Sequence, residues 1–178
     1  MRELTFEGFL LRYVQELTGS RSKNLKVLLG LSLDGHSRAL EPTVLLFALR
    51  GRGNAAIKLL ENTPYRDNTQ LIFSEGSTKE ALMQLLNEDT GNPSLSRYRK
   101  VYEAYKNAKG KIAVDRKAIL LMREKIVSIM VKKGLSNYRV YSDLGLNPGN
   151  VNSYLKNKNA TKVSRKTARR ILDYVLAA

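Results

Sequence analysis

Between Ser136 and Arg165 the chain gathers side chains that give and accept hydrogen bonds beside others that carry fixed positive charge. Asn147, Gly149, Asn150, Asn152 and Ser153 share one short stretch, NPGNVNS. Amides and hydroxyls act as both donor and acceptor, which suits recognition of a patterned polar surface. Ser136, Asn137, Tyr138 and Arg139 precede this stretch, and Lys156, Lys158, Asn159, Lys162 and Arg165 follow it. Bond-breaking chemistry has less to work with. The absence of cysteine excludes disulfides, thiol catalysis and zinc fingers. His36 is the only histidine, and Glu41, Glu61, Asp67 and Glu75 are too scattered to form an acid/base or metal pair. The expectation is a protein with no catalytic residue, no metal site and no cofactor.

Two short helices must position these groups. The residues Asn137 to Leu144 suit the first, Gly145-Leu146-Asn147 a turn, and Pro148 to Leu155 the second. Gly145 takes a positive φ at the end of a helix without steric cost. Asn147 caps the next helix, and Pro148 fits its first position, where a missing N–H is no loss. Val140, Leu144, Leu146, Val151 and Leu155 then form a shared apolar seam. Asp115 to Lys133 reads as a long helix before them, with Ile119, Leu120, Met122, Ile126, Ile129 and Met130 as its apolar face. Ser164 opens a final helix that buries Ala168, Ile171, Leu172 and Val175.

The charge is divided unevenly. Met1 to Pro93 holds eleven basic and eleven acidic residues, whereas Ser94 to Ala178 holds twenty basic and five acidic, so the whole net charge of +15 lies in the second half. Such segregation marks a polyanion-binding region. Apolar residues make up 43% of the chain, enough for folded cores. The longest apolar run in the first half outside the N-terminal segment, Val44 to Leu49, is too short to cross a membrane. The N-terminal segment, with Glu3, Glu7 and Glu16 among its apolar residues, is unlike a secretory leader, so a cytoplasmic protein with no membrane partner is expected.

In the first half, Leu4 to Leu17 has a helical stripe that Thr5 can cap, and Leu25 to Leu31 fits either a helix or a strand. Pro42 to Leu60 divides into two helices at Arg50-Gly51-Arg52-Gly53. That bend has the residue types of a phosphate cradle but matches no nucleotide-binding spacing. Leu71-Ile72-Phe73 reads as a short strand or a loop anchor, and Ser77 with Glu80 forms a capping box ahead of Leu82, Met83, Leu85 and Leu86. Leu95 to Lys109 resumes as a helix whose Tyr98, Tyr102 and Tyr105 suit a contact between the two halves, with a break at Gly110. The expected fold is mainly α, with two small helical domains. Residues 1–93 form a neutral, mostly helical domain, 94–114 a basic helical connector, and 115–178 a helix-turn-helix bundle.

With its long helix, Leu135-Ser136, the Leu144-Gly145-Leu146 turn, Val151 and Ser153-Tyr154-Leu155, the C-terminal third resembles the helix-turn-helix domain of lambda repressor and Cro-like regulators. Tyr141 departs from the pattern, standing where that family usually has alanine. The resemblance implies that the second of the two short helices enters the major groove of double-stranded DNA while the first crosses the backbone. Asn150, Ser153, Asn152 and Gly149 are then the base-contacting positions, and an arginine-free recognition helix implies a preference for A·T pairs. Ser136, Asn137, Tyr138, Arg139, Asn147, Lys156, Lys158, Asn159, Lys162 and Arg165 are the expected phosphate contacts. The implied function is sequence-specific transcriptional regulation of a bacterial or mobile-element kind. The alternative is a non-catalytic adaptor or structural component of a nucleoprotein assembly such as a phage-defence system. The first half would supply a homodimer or protein-partner contact, and the Leu176-Ala177-Ala178 end a further dimer contact.

Overall fold

The computed structural model describes residues 3–76, 78–88 and 92–178, and among them the chain forms ten α-helices and no strand. It divides into two compact units, 3–107 and 108–178. Each has its own apolar cluster. No helix among the described residues is long and apolar enough to cross a membrane.

The first unit holds α1 (Phe6–Thr18), α2 (Leu25–Leu33), α3 (Leu40–Leu49), α4 (Gly53–Leu59), α5 (Arg66–Glu75), α6 (Lys79–Asn87) and the start of α7 (Ser96–Lys133). Its centre is α3, whose Leu40, Val44, Leu45, Leu46 and Phe47 are all buried, as expected of a helix apolar all round. Thr5 caps α1 by accepting the Gly8 N–H at 3.0 Å. The Leu25 segment is a helix capped by Asn24, whose Oδ1 accepts the N–H groups of Lys26 and Val27 at 3.0 and 3.4 Å. Leu71, Ile72 and Phe73 lie inside α5, which corrects the strand or loop reading; Ile72 is fully buried in the helical core. Ser77 lies outside the described residues, and Thr78 caps α6 by accepting the Ala81 N–H at 3.1 Å. The arginine–glycine segment is a bend between α3 and α4. Gly51 has φ 64°, the Arg52 N–H donates to Phe47 O at 2.8 Å, and Arg50 Nε binds Glu7 at 2.7 Å.

Tyr98, Tyr102 and Tyr105 are buried within the first unit. Phe6 of α1 packs edge-on against Tyr102 at 5.3 Å, and the Tyr105 hydroxyl donates to Leu4 O at 3.3 Å. Residues 96–107, read from the sequence as part of a connector, therefore complete the first core, and the tyrosine face joins residues after Pro93 to helix α1 as the sequence suggested.

Helix α7 also runs unbroken through Gly110, where the sequence pointed to punctuation. A Cβ there would meet nothing within 4 Å. Gly110→Ala should therefore stabilise the chain by about 1 kcal/mol, the usual cost of glycine in an exposed helix interior, read as a higher urea midpoint with unchanged slope.

The second unit packs the remainder of α7 against α8 (Asn137–Leu144), α9 (Pro148–Leu155) and α10 (Arg165–Ala177). Val140, Val151 and Leu155 are buried, and Leu144 and Leu146 pack against them, giving the seam expected from the sequence. Ser164 caps α10 by accepting the Thr167 N–H at 3.0 Å.

Candidate nucleic-acid interface

The candidate residues are held by caps that close within a few residues of chain. Ser136 caps α8 by accepting the Arg139 N–H at 3.2 Å. Gly145 takes φ 62°, which lets the N–H of Leu146 reach Tyr141 O at 2.9 Å and that of Gly145 reach Ser142 O at 3.3 Å. These two bonds satisfy carbonyls that a helix end leaves open. Asn147 Oδ1 then accepts the Asn150 N–H at 3.0 Å and starts α9.

Contacts distant in sequence decide how α9 sits. Tyr154, fully buried, donates its hydroxyl to Ile119 O at 2.7 Å. Burial pushes its pKa up to about 12, against a smaller opposing pull from Arg123. The Arg123 guanidinium donates through Nε to the carbonyls of Tyr154 and Leu155 at 3.2 and 3.0 Å and through Nη2 to Leu155 O, placing a cation at the C-terminus of α9. Arg170 does the same for α8, donating to Leu144 O at 3.2 Å. The Tyr174 hydroxyl donates to Asp143, a bond that raises the tyrosine pKa. The sequence offered Tyr154 only as part of the Ser153-Tyr154-Leu155 pattern, with no role of its own, and gave Arg123 none. The spacing of Val151, Tyr154 and Leu155 contains the signal for Tyr154, since i, i+3 and i+4 share one helix face.

The expected base-contacting residues separate into two groups. Asn150 is exposed on the first turn of α9 and Ser153 is half-buried one turn later. Asn152 is turned toward α8, where its Oδ1 accepts from Asn137 Nδ2 at 3.0 Å. This bond ties the two short helices together. Gly149 is exposed, and a Cβ there would stand 3.3 Å from the capping Oδ1 of Asn147. Its smallness thus protects the cap.

The expected phosphate contacts also differ in surroundings. Ser136, Asn137, Tyr138, Asn152 and Lys156 line one groove of about 650 Å³, floored by Met130, Leu135 and Leu155. Tyr138 is exposed, with its ring edge-on to the half-buried Tyr141 at 5.5 Å. Arg139 lies 3.8 Å from Asp143, and Arg165 pairs with Asp115 at 3.0 Å, both exposed ion pairs of small energy. Asn159 is a turn residue whose Oδ1 accepts from the N–H and hydroxyl of Thr161 at 3.1 and 2.7 Å. Lys156, Lys158 and Lys162 are exposed.

Lys158 has φ 55°, the one positive value at a non-glycine residue among the described residues. Its backbone turn brings the Asn159 N–H to Ser153 O at 3.1 Å and closes α9. A side chain in this conformation costs about 1–2 kcal/mol. Lys158→Gly should therefore leave the melting temperature unchanged or raise it, which separates the lysine charge from the fold.

Around these residues the electrostatics are one-sided. No acidic residue occurs between Asp143 and Asp173, while Lys156, Lys158, Lys162, Arg165, Lys166, Arg169 and Arg170 fall in that interval. The site is thus defined as an exposed polar helix face followed by a cationic loop, carried on a four-helix unit. Comparison of the chain with protein-family models, curated proteins and solved structures finds no match to any of them.

Proposed function

We propose that this chain is a sequence-specific double-stranded DNA-binding protein acting as a transcriptional regulator of the bacterial or mobile-element kind, and that it is not an enzyme. In this reading α8, the glycine turn and α9 are a helix-turn-helix, with α9 as the recognition helix. Asn150 and Ser153 read base edges, and Asn152 with Asn137 fixes the angle between the helices. Lys156, Lys158 and Lys162 hold phosphates, together with the backbone N–H groups at the start of α8. The observation that carries the reading is the carboxylate-free interval from α9 into α10, because a duplex surface repels carboxylates and rewards cations that release its counterions. The first unit, whose residues 3–107 hold fourteen basic and twelve acidic residues, supplies a self-association or partner contact.

Selection of bound duplexes from a random pool by the full-length protein tests this. The expected product is one motif with A·T pairs at the positions facing Asn150 and Ser153. A guanine-dominated core defeats the assigned base readout, and a pool with no retained duplex defeats DNA binding. Retention without sequence preference favours a component of a nucleoprotein assembly. On the selected duplex, Lys158→Gly should weaken binding to all sequences alike and make the slope of log affinity against log salt shallower by about 0.9, the share of one phosphate.

A further inference from the structure

The first unit holds a cavity of about 410 Å³ that the DNA-binding reading does not use. Its volume falls in the range of small-molecule sites. Glu41 at the start of α3, Tyr65 and Thr69 at the start of α5, and Arg97 and Tyr98 at the start of α7 line it. Tyr98 is only 3% exposed, yet its hydroxyl has no hydrogen-bond partner among the described residues. The Glu41 side chain is 15% exposed, and its carboxylate makes no hydrogen bond among the described residues either. Its ion pair with Arg97 spans 3.6 Å, and the arginine side chain is 77% exposed. Such a pair is worth little, and it leaves most of the carboxylate's four acceptor sites open. Burial, and after it the charge of Glu41, raises the Tyr98 pKa, so the two groups share one neighbourhood. Thr69 already donates its hydroxyl to Tyr65 O at 3.1 Å and to Arg66 O at 2.8 Å, and so can only accept. Buried polar groups are nearly always hydrogen-bonded. These three therefore call for a ligand rich in donors. A shielded carboxylate repels anions and is compensated best by a full positive charge. A lone carboxylate is too few ligands for a metal ion, and no group of three metal-ligating side chains occurs among the described residues.

We infer that this cavity binds a small organic cation, an alkylammonium or alkylguanidinium, with Glu41 as its counter-ion and the hydroxyl oxygens of Tyr98 and Thr69 accepting further N–H bonds. An ammonium has three donors and a guanidinium five, enough for all three groups. The Tyr65 ring, Pro64 and Pro93 line the same cavity and pack against the hydrocarbon chain. Arg97 gives up its place beside Glu41 to the better-bonded cation and turns to solvent. The site lies wholly within residues 3–107 and does not depend on DNA binding.

Isothermal titration of the full-length protein with pentylammonium and pentylguanidinium tests this, with pentanol and pentanoate as controls of the same chain. A cation should bind one to one at millimolar concentration or below, pentanol at least about 10-fold more weakly, and pentanoate not at all. Glu41→Gln should weaken the cation by about 10- to 100-fold, the range for hydrogen bonds to charged groups, and leave pentanol unaffected. Tyr98→Phe keeps the ring and should weaken the cation by about 5-fold or more. It should also leave the melting temperature of the unliganded protein unchanged or higher, because the hydroxyl it removes has no partner; a structural hydroxyl would lower it. Arg97→Gln removes the competing cation and should tighten binding. A blocked tripeptide with a central arginine should bind no better than pentylguanidinium; tighter binding would move the cation onto a partner's side chain and overturn the small-molecule source. Failure of both cations to bind, pentanol binding as tightly as they do, or wild-type cation affinity in Glu41→Gln and Tyr98→Phe would overturn the site. No DNA is present in these titrations, so the cation site and the DNA-binding reading can each fail alone.

Discussion

Tyr154→Ala is expected to cost about 3–5 kcal/mol, the range for removing a large buried aromatic side chain, and with it DNA binding. The ring is fully buried in the second core, and its hydroxyl ties α9 to Ile119 on α7. A unit of this size draws only a few kcal/mol from its core, so the unit should be largely unfolded at 37 °C, read by urea denaturation of the full-length chain. Tyr154→Phe keeps the packing and loses one hydrogen bond, at about 1 kcal/mol. The two variants also separate by pH. A phenol whose pKa rises on folding, here to about 12, contributes stability that is complete below its ordinary value near 10 and is lost as pH rises through the folded value. Wild-type stability should therefore fall between pH 10 and pH 12, and the part of that fall due to Tyr154 should vanish in Tyr154→Phe. An identical alkaline profile in the two proteins would show that the hydroxyl is not sealed from water. Tyr98 in the first unit, whose pKa is raised by burial and by Glu41, supplies a remaining alkaline loss common to both.

Asn150→Ala should lower affinity for the selected duplex by about 5- to 150-fold, the 1–3 kcal/mol attached to one well-made base contact. Affinity for unrelated duplexes and the salt slope should not change. The cap of α9 survives the substitution, because Asn147 accepts the backbone N–H of residue 150 and not its side chain. The loss should be concentrated at one base pair, so that selection by the variant returns a motif degenerate at that position alone. Equal losses on specific and unrelated duplexes would make Asn150 a phosphate contact. Asn152→Ala serves as the contrast. Its side chain is bound to Asn137 across the two helices, so its removal should lower stability and affinity together.

Much of the second unit was legible in its sequence because its decisive bonds are local. Ser136, Asn147 and Ser164 each bond to an N–H three residues ahead, and Gly145 takes the positive φ that its place after Leu144 demands. Caps of this kind depend on residue type and spacing alone, so a linear reading finds them. In the first unit the ambiguous Leu25 segment and the short Leu71–Phe73 run were harder. Both are brief apolar stretches whose period does not separate helix from strand, and burial against α3 and its neighbours settled them as helix.

The sequence by itself determined the helical class, the two short helices and their turn, and the confinement of all the net positive charge to residues after Pro93. The tertiary structure decided which polar groups bond to one another. Asn152 accepts from Asn137, Arg165 pairs with Asp115 and Asn159 accepts from Thr161, while Asn150, Lys156, Lys158 and Lys162 stay at the surface. It also gave Tyr98, Tyr102 and Tyr105 to the first core and set Arg123 on the end of α9. Apart from the local Asn159–Thr161 turn, these contacts join residues fifteen to about a hundred positions apart. Periodicity and spacing carry no record of such pairs, since a side chain's partner at that distance is fixed only when the helices that bear both have packed.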